Sequence, residues 1–202
     1  MLTTTPQPVT YGNVSSLAKF SLERYHRMTA SGILTPDDKV ELLENYVVLK
    51  MARNPRHDST VQRMLRPLFT PLPANWDLRI QGAVTLTDSE PEPHYAVVRG
   101  RAANYERRHP TPGDIGALME VADSSLLRDQ RDKTRIYARA NIPVYWIVNL
   151  VDRRIEVYTQ PSGPTESPSY AACQVYVPGQ EVPLVLDGAV ACSVPVDALL
   201  PE

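Results

Sequence analysis

The stretch LMEVADSSLLRDQRDKTRIYARANIPVYWIVNL, residues 118–150, holds the pattern that decides the fold. An apolar run ends near Glu120, a polar helix-like segment capped by the serine pair 124–125 continues to about Ala140, and a second apolar run, 141–150, follows. Short apolar runs of this kind are typical of buried strands. Two such strands joined through a helix predict a β-α-β crossover.

Strand patterns continue toward the C-terminus. The sequence predicts three further short strands, RIEVYTQ at 154–160, YAACQVYV at 170–177 and EVPLVL at 181–186. Proline, serine and glycine separate them, as is typical of hairpin connections.

The chain before residue 118 predicts two helices and several strands. Helix one begins at Ser21 and stops at Gly32, and helix two is capped by Asp58 or Ser59. A strand or hairpin is predicted for Val40–Met51. Further strands are predicted at 77–86 and 94–100, which the proline-rich segment 89–93 separates, and at 115–121.

These elements together predict an α/β (α+β) protein with a mixed sheet flanked by helices. The 202 residues suffice for one domain with a substantial core. We expect residues 1–16 to form a flexible lead-in and residues 17–202 to form that single domain.

Charge and composition limit the partners. The net charge of −2 and the pI of about 6.1 give no global basic bias, so any contact with nucleic acid must use a local patch. One basic cluster lies on the predicted third helix, and it is either solvated surface or such a patch. The absence of an 18-residue apolar span predicts no membrane segment, and two cysteines without a disulfide pattern predict a reducing cytoplasm. The basic cluster comprises Arg128, Arg131, Lys133, Arg135 and Arg139.

Four ionisable residues lie at the edges of apolar strands or on the third helix: Glu41, His94, Glu120 and Lys133. Glu120 is the most informative, because a carboxylate at the end of a buried run needs a compensating cation. Lys133 can pair with it in a structural salt bridge or join it around a metal. Asp129 and Lys133 are also i and i+4 neighbours, a spacing that a surface helix pair explains.

Several blocks together resemble the Uma family of restriction-type endonucleases, over roughly residues 19–160. The resemblance implies membership of the PD-(D/E)XK nuclease superfamily, with a restriction-endonuclease-like core of a mixed sheet flanked by helices. It also implies metal-dependent hydrolysis of phosphodiester bonds in nucleic acid, with DNA as the expected partner and a homodimer by analogy. The blocks are KFSLERYHRMTASGIL, DDKVELLEN, PRH, SEPEPHYAVVRG and the stretch 118–150.

The resemblance also implies the site residues. Glu120 matches the acidic residue of the second half-motif, and the backbone carbonyl of Val121 would add a metal contact. Ala122 stands where that motif has a lysine, so the resemblance assigns the ammonium to Lys133 on the helix. Glu41 matches an acidic residue that faces the same site.

The main departure from the family pattern is His94, which follows Pro93 where the family has an aspartate. Magnesium prefers oxygen ligands, whereas imidazole suits zinc and sometimes manganese. We therefore expect a divalent metal, magnesium or manganese, with zinc allowed by His94. The rival hypothesis is a catalytically degenerate nuclease fold that binds nucleic acid or a protein. His57 matches a family histidine and is either catalytic or a structural helix-entry residue.

Overall fold

The computed structural model describes residues 17–69 and 72–201, so the predicted lead-in, 1–16, lies outside the described residues. The helices are α1 (Leu22–Ala30), α2 (Pro55–Phe69), α3 (Leu126–Arg128), α4 (Thr134–Arg139) and α5 (Val196–Leu199). The strands are β1 (Val40–Leu43), β2 (Tyr46–Leu49), β3 (Trp76–Ile80), β4 (Tyr95–Arg99), β5 (Ile115–Ala122), β6 (Val144–Asn149), β7 (Arg154–Pro161), β8 (Tyr170–Tyr176), β9 (Glu181–Leu186) and β10 (Ala189–Pro195).

A six-stranded mixed sheet forms the centre of the molecule, in the order β3-β4-β5-β6-β7-β8. β5 and β6 pair in parallel, and every other neighbouring pair in this sheet is antiparallel. The segment α3 to α4 makes the crossover between the two parallel strands, with a π-helical turn, Asp129–Lys133, between its α-helical parts. The predicted fold class and the β-α-β unit are therefore confirmed.

Strand β5 is buried on both faces, and its side chains alternate between two cores. Met119 and Val121 pack into one core, to which α2 and the β9–β10 hairpin contribute. Leu118 and Ala122 pack into the other, beneath α4. Glu120 shares the α4 face because side chains two residues apart on a strand point the same way. Within the described residues, no helix is long and apolar enough to cross a membrane.

Helix α2 begins earlier than the sequence analysis predicted. The predicted caps, Asp58 and Ser59, lie inside the helix. The side-chain oxygen of Asn54 instead accepts a hydrogen bond from the His57 N–H at 2.9 Å. Pro55 then takes the first helical position, where a missing N–H is harmless.

Two strand predictions need correction. The strand predicted at 77–86 ends at Ile80, because Gln81 has a φ of 51° and turns the chain out of the ladder. Strand β10 was not predicted at all. It pairs with β9 through a turn at Asp187 and Gly188, whose φ values of 52° and 78° suit a tight hairpin turn.

Gly116 explains how the β9–β10 hairpin packs against β5. A Cβ atom at this position would lie 2.7 Å from Leu186 Cδ2 and 2.7 Å from two ring carbons of Trp76. Both neighbours belong to the buried core and have little room to move.

We predict that Gly116→Ala lowers the free energy of unfolding by roughly 1–3 kcal/mol through overpacking. Urea denaturation followed by circular dichroism measures the change. Gly113→Ala is the matched control, since a Cβ there meets no atom within 4 Å. Equal stabilities of the two variants would contradict the packing described for Gly116.

Candidate active site

Glu120 is fully buried and forms an ion pair with Lys133, which is 6% exposed. Lys133 Nζ donates to Glu120 Oε1 at 2.6 Å, and the hydroxyl of Tyr137 donates to the same oxygen at 3.2 Å. The crossover explains the pairing, because it returns the helical segment over the face of β5 from which Glu120 projects. The predicted approach of Lys133 to Glu120 is thus present.

Glu41 supplies a second carboxylate to the same ammonium. Its Oε2 lies 3.6 Å from Lys133 Nζ and accepts a hydrogen bond from the Glu92 N–H at 3.3 Å. The β1–β2 hairpin carries Glu41 here, and its turn residues Glu44 and Asn45 have φ values of 50° and 67°. Lys133 therefore lies between two buried carboxylates.

His94 directly precedes β4 and lies opposite Glu120. The antiparallel register pairs Tyr95 with Met119, so the next pair along is His94 with Glu120, on one face of the sheet. His94 Nδ1 is 2.5 Å from Glu120 Oε2 and 3.2 Å from the backbone nitrogen of Val121. With a proton, Nδ1 donates to the carboxylate; without one, it accepts from the Val121 N–H.

The electrostatics of this cluster favour charged groups despite burial. Burial alone would raise the pKa of Glu120, but the Lys133 ammonium and the His94 ring outweigh it and lower that pKa to about 2. For Lys133, burial opposes the charge, while Glu120, Glu41 and Asp129 hold its pKa above the usual range. Glu120 is therefore an anion and Lys133 a cation at neutral pH.

Asp129 is buried beside Lys133, so a surface helix pair does not explain the spacing of these two residues. The π-helical turn buries both Asp129 and Lys133, and the Ser125 hydroxyl donates to Asp129 Oδ2 at 2.7 Å. The hydroxyl of Thr134 and its backbone N–H both donate to the Asp129 carbonyl, and the N–H bond is the i to i+5 bond of the turn. Burial raises the pKa of the Asp129 carboxyl to about 7.

His57 lies beside His94 at the start of α2. The two rings meet edge to face, with 4.6 Å between their centroids, and His57 Nδ1 is 3.2 Å from Asp58 Oδ1. Burial and the neighbouring His94 lower the pKa of His57. Its contacts fit a helix-entry residue, and a catalytic role stays a hypothesis.

These side chains line a small cavity of about 60 Å³ that opens to solvent. A cavity of this size has room for water-sized groups. Its lining comprises Glu41, Lys50, Met51, Ala52, Arg53, His57, Glu92, His94, Glu120, Ser124, Ser125, Arg128, Asp129 and Lys133.

The donors at this cavity fit a metal only in part. Among the described residues, no group of three histidine, cysteine, aspartate or glutamate side chains is arranged to hold an ion. Glu120 Oε2 and His94 Nδ1 are adjacent, and one oxygen plus one imidazole nitrogen suits manganese or zinc better than magnesium. Glu41 is separated from them by the Lys133 ammonium.

Comparisons with known proteins agree with the fold. The model of the Uma2 family, described as “Putative restriction endonuclease”, matches residues 22–195. A crystal structure described as a putative nuclease belonging to DUF820, from Anabaena variabilis, superposes with a TM-score of 0.68 at 13% identity. The match covers 89% of this chain and 97% of that one, and it shows a shared fold. Comparison with curated proteins gives no significant match.

The buried Asp129 carboxyl predicts a pH dependence of stability. Its folded pKa, about 7, lies above the ordinary value of 3.8, so the folded state binds this proton more tightly. The resulting stabilisation is complete below about pH 4 and is lost as the pH rises to 7. Between pH 5 and 7, the native protein should lose about 2 kcal/mol of unfolding free energy relative to Asp129→Asn.

Urea denaturation at pH 5, 6, 7 and 8 measures this difference. Asp132→Asn, which removes a half-exposed carboxylate from the same turn, is the control. A difference between native protein and Asp129→Asn that stays constant with pH would show that Asp129 is ionised throughout.

Proposed function

Since the chain belongs to the Uma2 family, described as “Putative restriction endonuclease”, we propose that it is a nuclease that hydrolyses phosphodiester bonds of nucleic acid with the help of a divalent metal. The observation that carries this proposal is the convergence at one open cavity of four ionisable side chains from separate parts of the chain. The proposed catalytic residues are Glu120, Lys133, Glu41 and His94.

Glu120 and His94 would hold the metal, since their free donor atoms are adjacent and border the cavity. The carbonyl of Val121 is a further proposed donor, because in a strand it points the same way as the Val121 N–H, which faces His94. Glu41 stays a predicted metal ligand, although the Lys133 ammonium lies between it and the Glu120–His94 pair. A bound divalent ion would place positive charge beside the scissile phosphate and lower the pKa of an attacking water.

Lys133 is proposed to stabilise the negative charge that develops on the phosphate. Its ammonium is already fixed by Glu120 and Glu41, so little reorganisation is needed when charge appears in the cavity. Lys133 thereby supplies the role that the family motif gives to a lysine two residues after the glutamate, where this chain has Ala122.

The 2.5 Å separation of His94 Nδ1 and Glu120 Oε2 is a hydrogen-bond distance that leaves no space for an ion between them. Metal binding would therefore require these two groups to move apart.

One observation favours the rival function, a binding module without catalysis. Both oxygens of Glu120 already have partners, Lys133 and His94, so the buried charge is balanced without any metal. DNA as the substrate, assembly as a homodimer and a cytoplasmic location also stay predictions here.

A plasmid-nicking assay tests the proposed activity. We expect native protein with Mn²⁺ to convert supercoiled plasmid to nicked circles. Glu120→Gln should nick at least roughly a hundredfold more slowly, because the neutral amide no longer binds the divalent ion as the carboxylate does. The glutamine keeps an oxygen for Lys133, so matched folding can be checked by circular dichroism. Equal rates for the two proteins would rule out Glu120 as a catalytic residue.

His94→Asp tests the metal preference. An aspartate supplies the hard oxygen and negative charge that Mg²⁺ prefers, so we expect Mg²⁺-dependent nicking to rise roughly tenfold over native protein. Calorimetry should show native protein binding Mn²⁺ more tightly than Mg²⁺, with a smaller gap in His94→Asp. The double variant with Glu120→Gln is the control. No gain with any metal would favour the binding-module hypothesis.

A further inference from the structure

We propose that Arg53 and Arg128 bind backbone phosphates of a nucleic-acid strand at the opening of the cavity and hold that strand over the Glu120–Lys133 pair. This inference rests on the proposed function for its choice of partner. It concerns binding, which can be measured in the absence of any cleavage.

The two arginines come from different elements and line the same cavity as the ionisable cluster. Arg53 lies in the segment between β2 and α2 and is exposed, whereas Arg128 is the last residue of α3 and is half-buried. A strand that places one phosphate at this opening would extend past the residues that line it. The next phosphates along the strand would then meet the two guanidinium groups.

Neither arginine is neutralised by a carboxylate within the described residues. Arg128 donates to the backbone carbonyl of Leu49 at 2.8 Å, and Arg53 has no ion-pair or hydrogen-bond partner there. Several other arginines differ in this respect, because each forms an ion pair with an acidic residue. These pairs are Arg99 with Asp187, Arg108 with Asp114, Arg135 with Glu44, Arg139 with Glu44 and Asp88, and Arg154 with Glu156.

The structure thus divides the basic cluster seen in the sequence. Lys133 points into the cavity, and Arg135 and Arg139 both pair with Glu44 of the β1–β2 turn. Arg128 lines the cavity, and Arg131, three residues further on, is exposed. Structural ion pairs therefore account for part of the cluster and leave the cavity end of it charged.

The acidic residues near the opening do not pair with these arginines. Asp123 accepts a hydrogen bond from the Asn54 side-chain amide at 2.8 Å, and Asp58 contacts the His57 ring. The Asn54 bond also ties the start of α2 to the loop after β5. The Arg128 bond to Leu49 links the same two parts of the chain, so residues 49–54 and 123–128 are held together beside the cavity.

A phosphodiester backbone is the partner that this arrangement fits. Guanidinium groups match phosphate oxygens in charge and in their planar donor geometry, and they contact every nucleotide sequence alike. Each phosphate contact releases condensed counterions, so its loss changes how affinity depends on salt. That salt dependence separates a phosphate contact from a merely structural role.

Fluorescence anisotropy with a labelled 20-base-pair DNA duplex, its single strand and an RNA strand of the same sequence tests the inference. Full-length protein in EDTA binds without cleaving. For Arg53→Gln and for Arg128→Gln, we expect Kd to rise roughly three- to fivefold. The plot of log affinity against log salt has a negative slope, and the magnitude of that slope should decrease by about 1 for each variant.

Arg101→Gln is the matched control, because Arg101 is exposed beyond the far end of β4 and its loss removes the same charge. Arg128→Lys keeps the charge and should retain a near-native slope, which covers the case in which Arg128→Gln alters folding. Salt slopes for Arg53→Gln and Arg128→Gln equal to that of Arg101→Gln would overturn the inference, as would native protein that binds none of the three strands. Arginine-dependent binding without nicking would overturn only the proposed function.

Discussion

The rest of the site depends on one constraint, the burial of the Glu120 carboxylate at the end of a central strand. A buried charge without a partner is costly, so groups of opposite charge must be brought to it. The crossover brings Lys133, the β4–β5 register brings His94, and the β1–β2 hairpin adds Glu41 as a second acceptor for the ammonium. The π-helical turn turns Lys133 inward and buries Asp129 with it.

This arrangement is poorly explained as a device for stability alone. Buried ion pairs are often no more stabilising than apolar residues of similar size, because desolvation offsets their attraction. Here the pair also borders an opening to solvent, where apolar side chains would serve equally well to close the core. Perturbed ionisable groups that converge on a cavity are typical of functional sites. The unneutralised arginines at the same opening point to an anionic partner.

Long, strongly patterned segments were predictable from the sequence, and local backbone choices were less so. The apolar runs within residues 118–150 indicated β5, the crossover and β6. The crossover predicted in this way also placed Lys133 near Glu120. The burial of Asp129 was not predicted, because i and i+4 spacing puts two residues on one face of a regular helix. The sequence pattern does not indicate the π-helical turn. The Asp187-Gly188 pair between apolar residues does signal a hairpin, so β10 could have been found. The end of β3 depends on a positive φ at Gln81, and a glutamine in a sequence does not indicate a positive φ.

We propose that the Glu120–His94 pair holds a metal in the working protein. Crystals soaked in Mn²⁺ near pH 8, with diffraction measured at a wavelength that gives manganese anomalous signal, test it most directly. We expect an anomalous peak within coordination distance of Glu120 Oε2 and a His94 ring nitrogen, with the two groups moved apart from their 2.5 Å contact. The absence of a peak there, with the contact and the Lys133 ion pair unchanged, would show that Glu120 and His94 do not hold a metal.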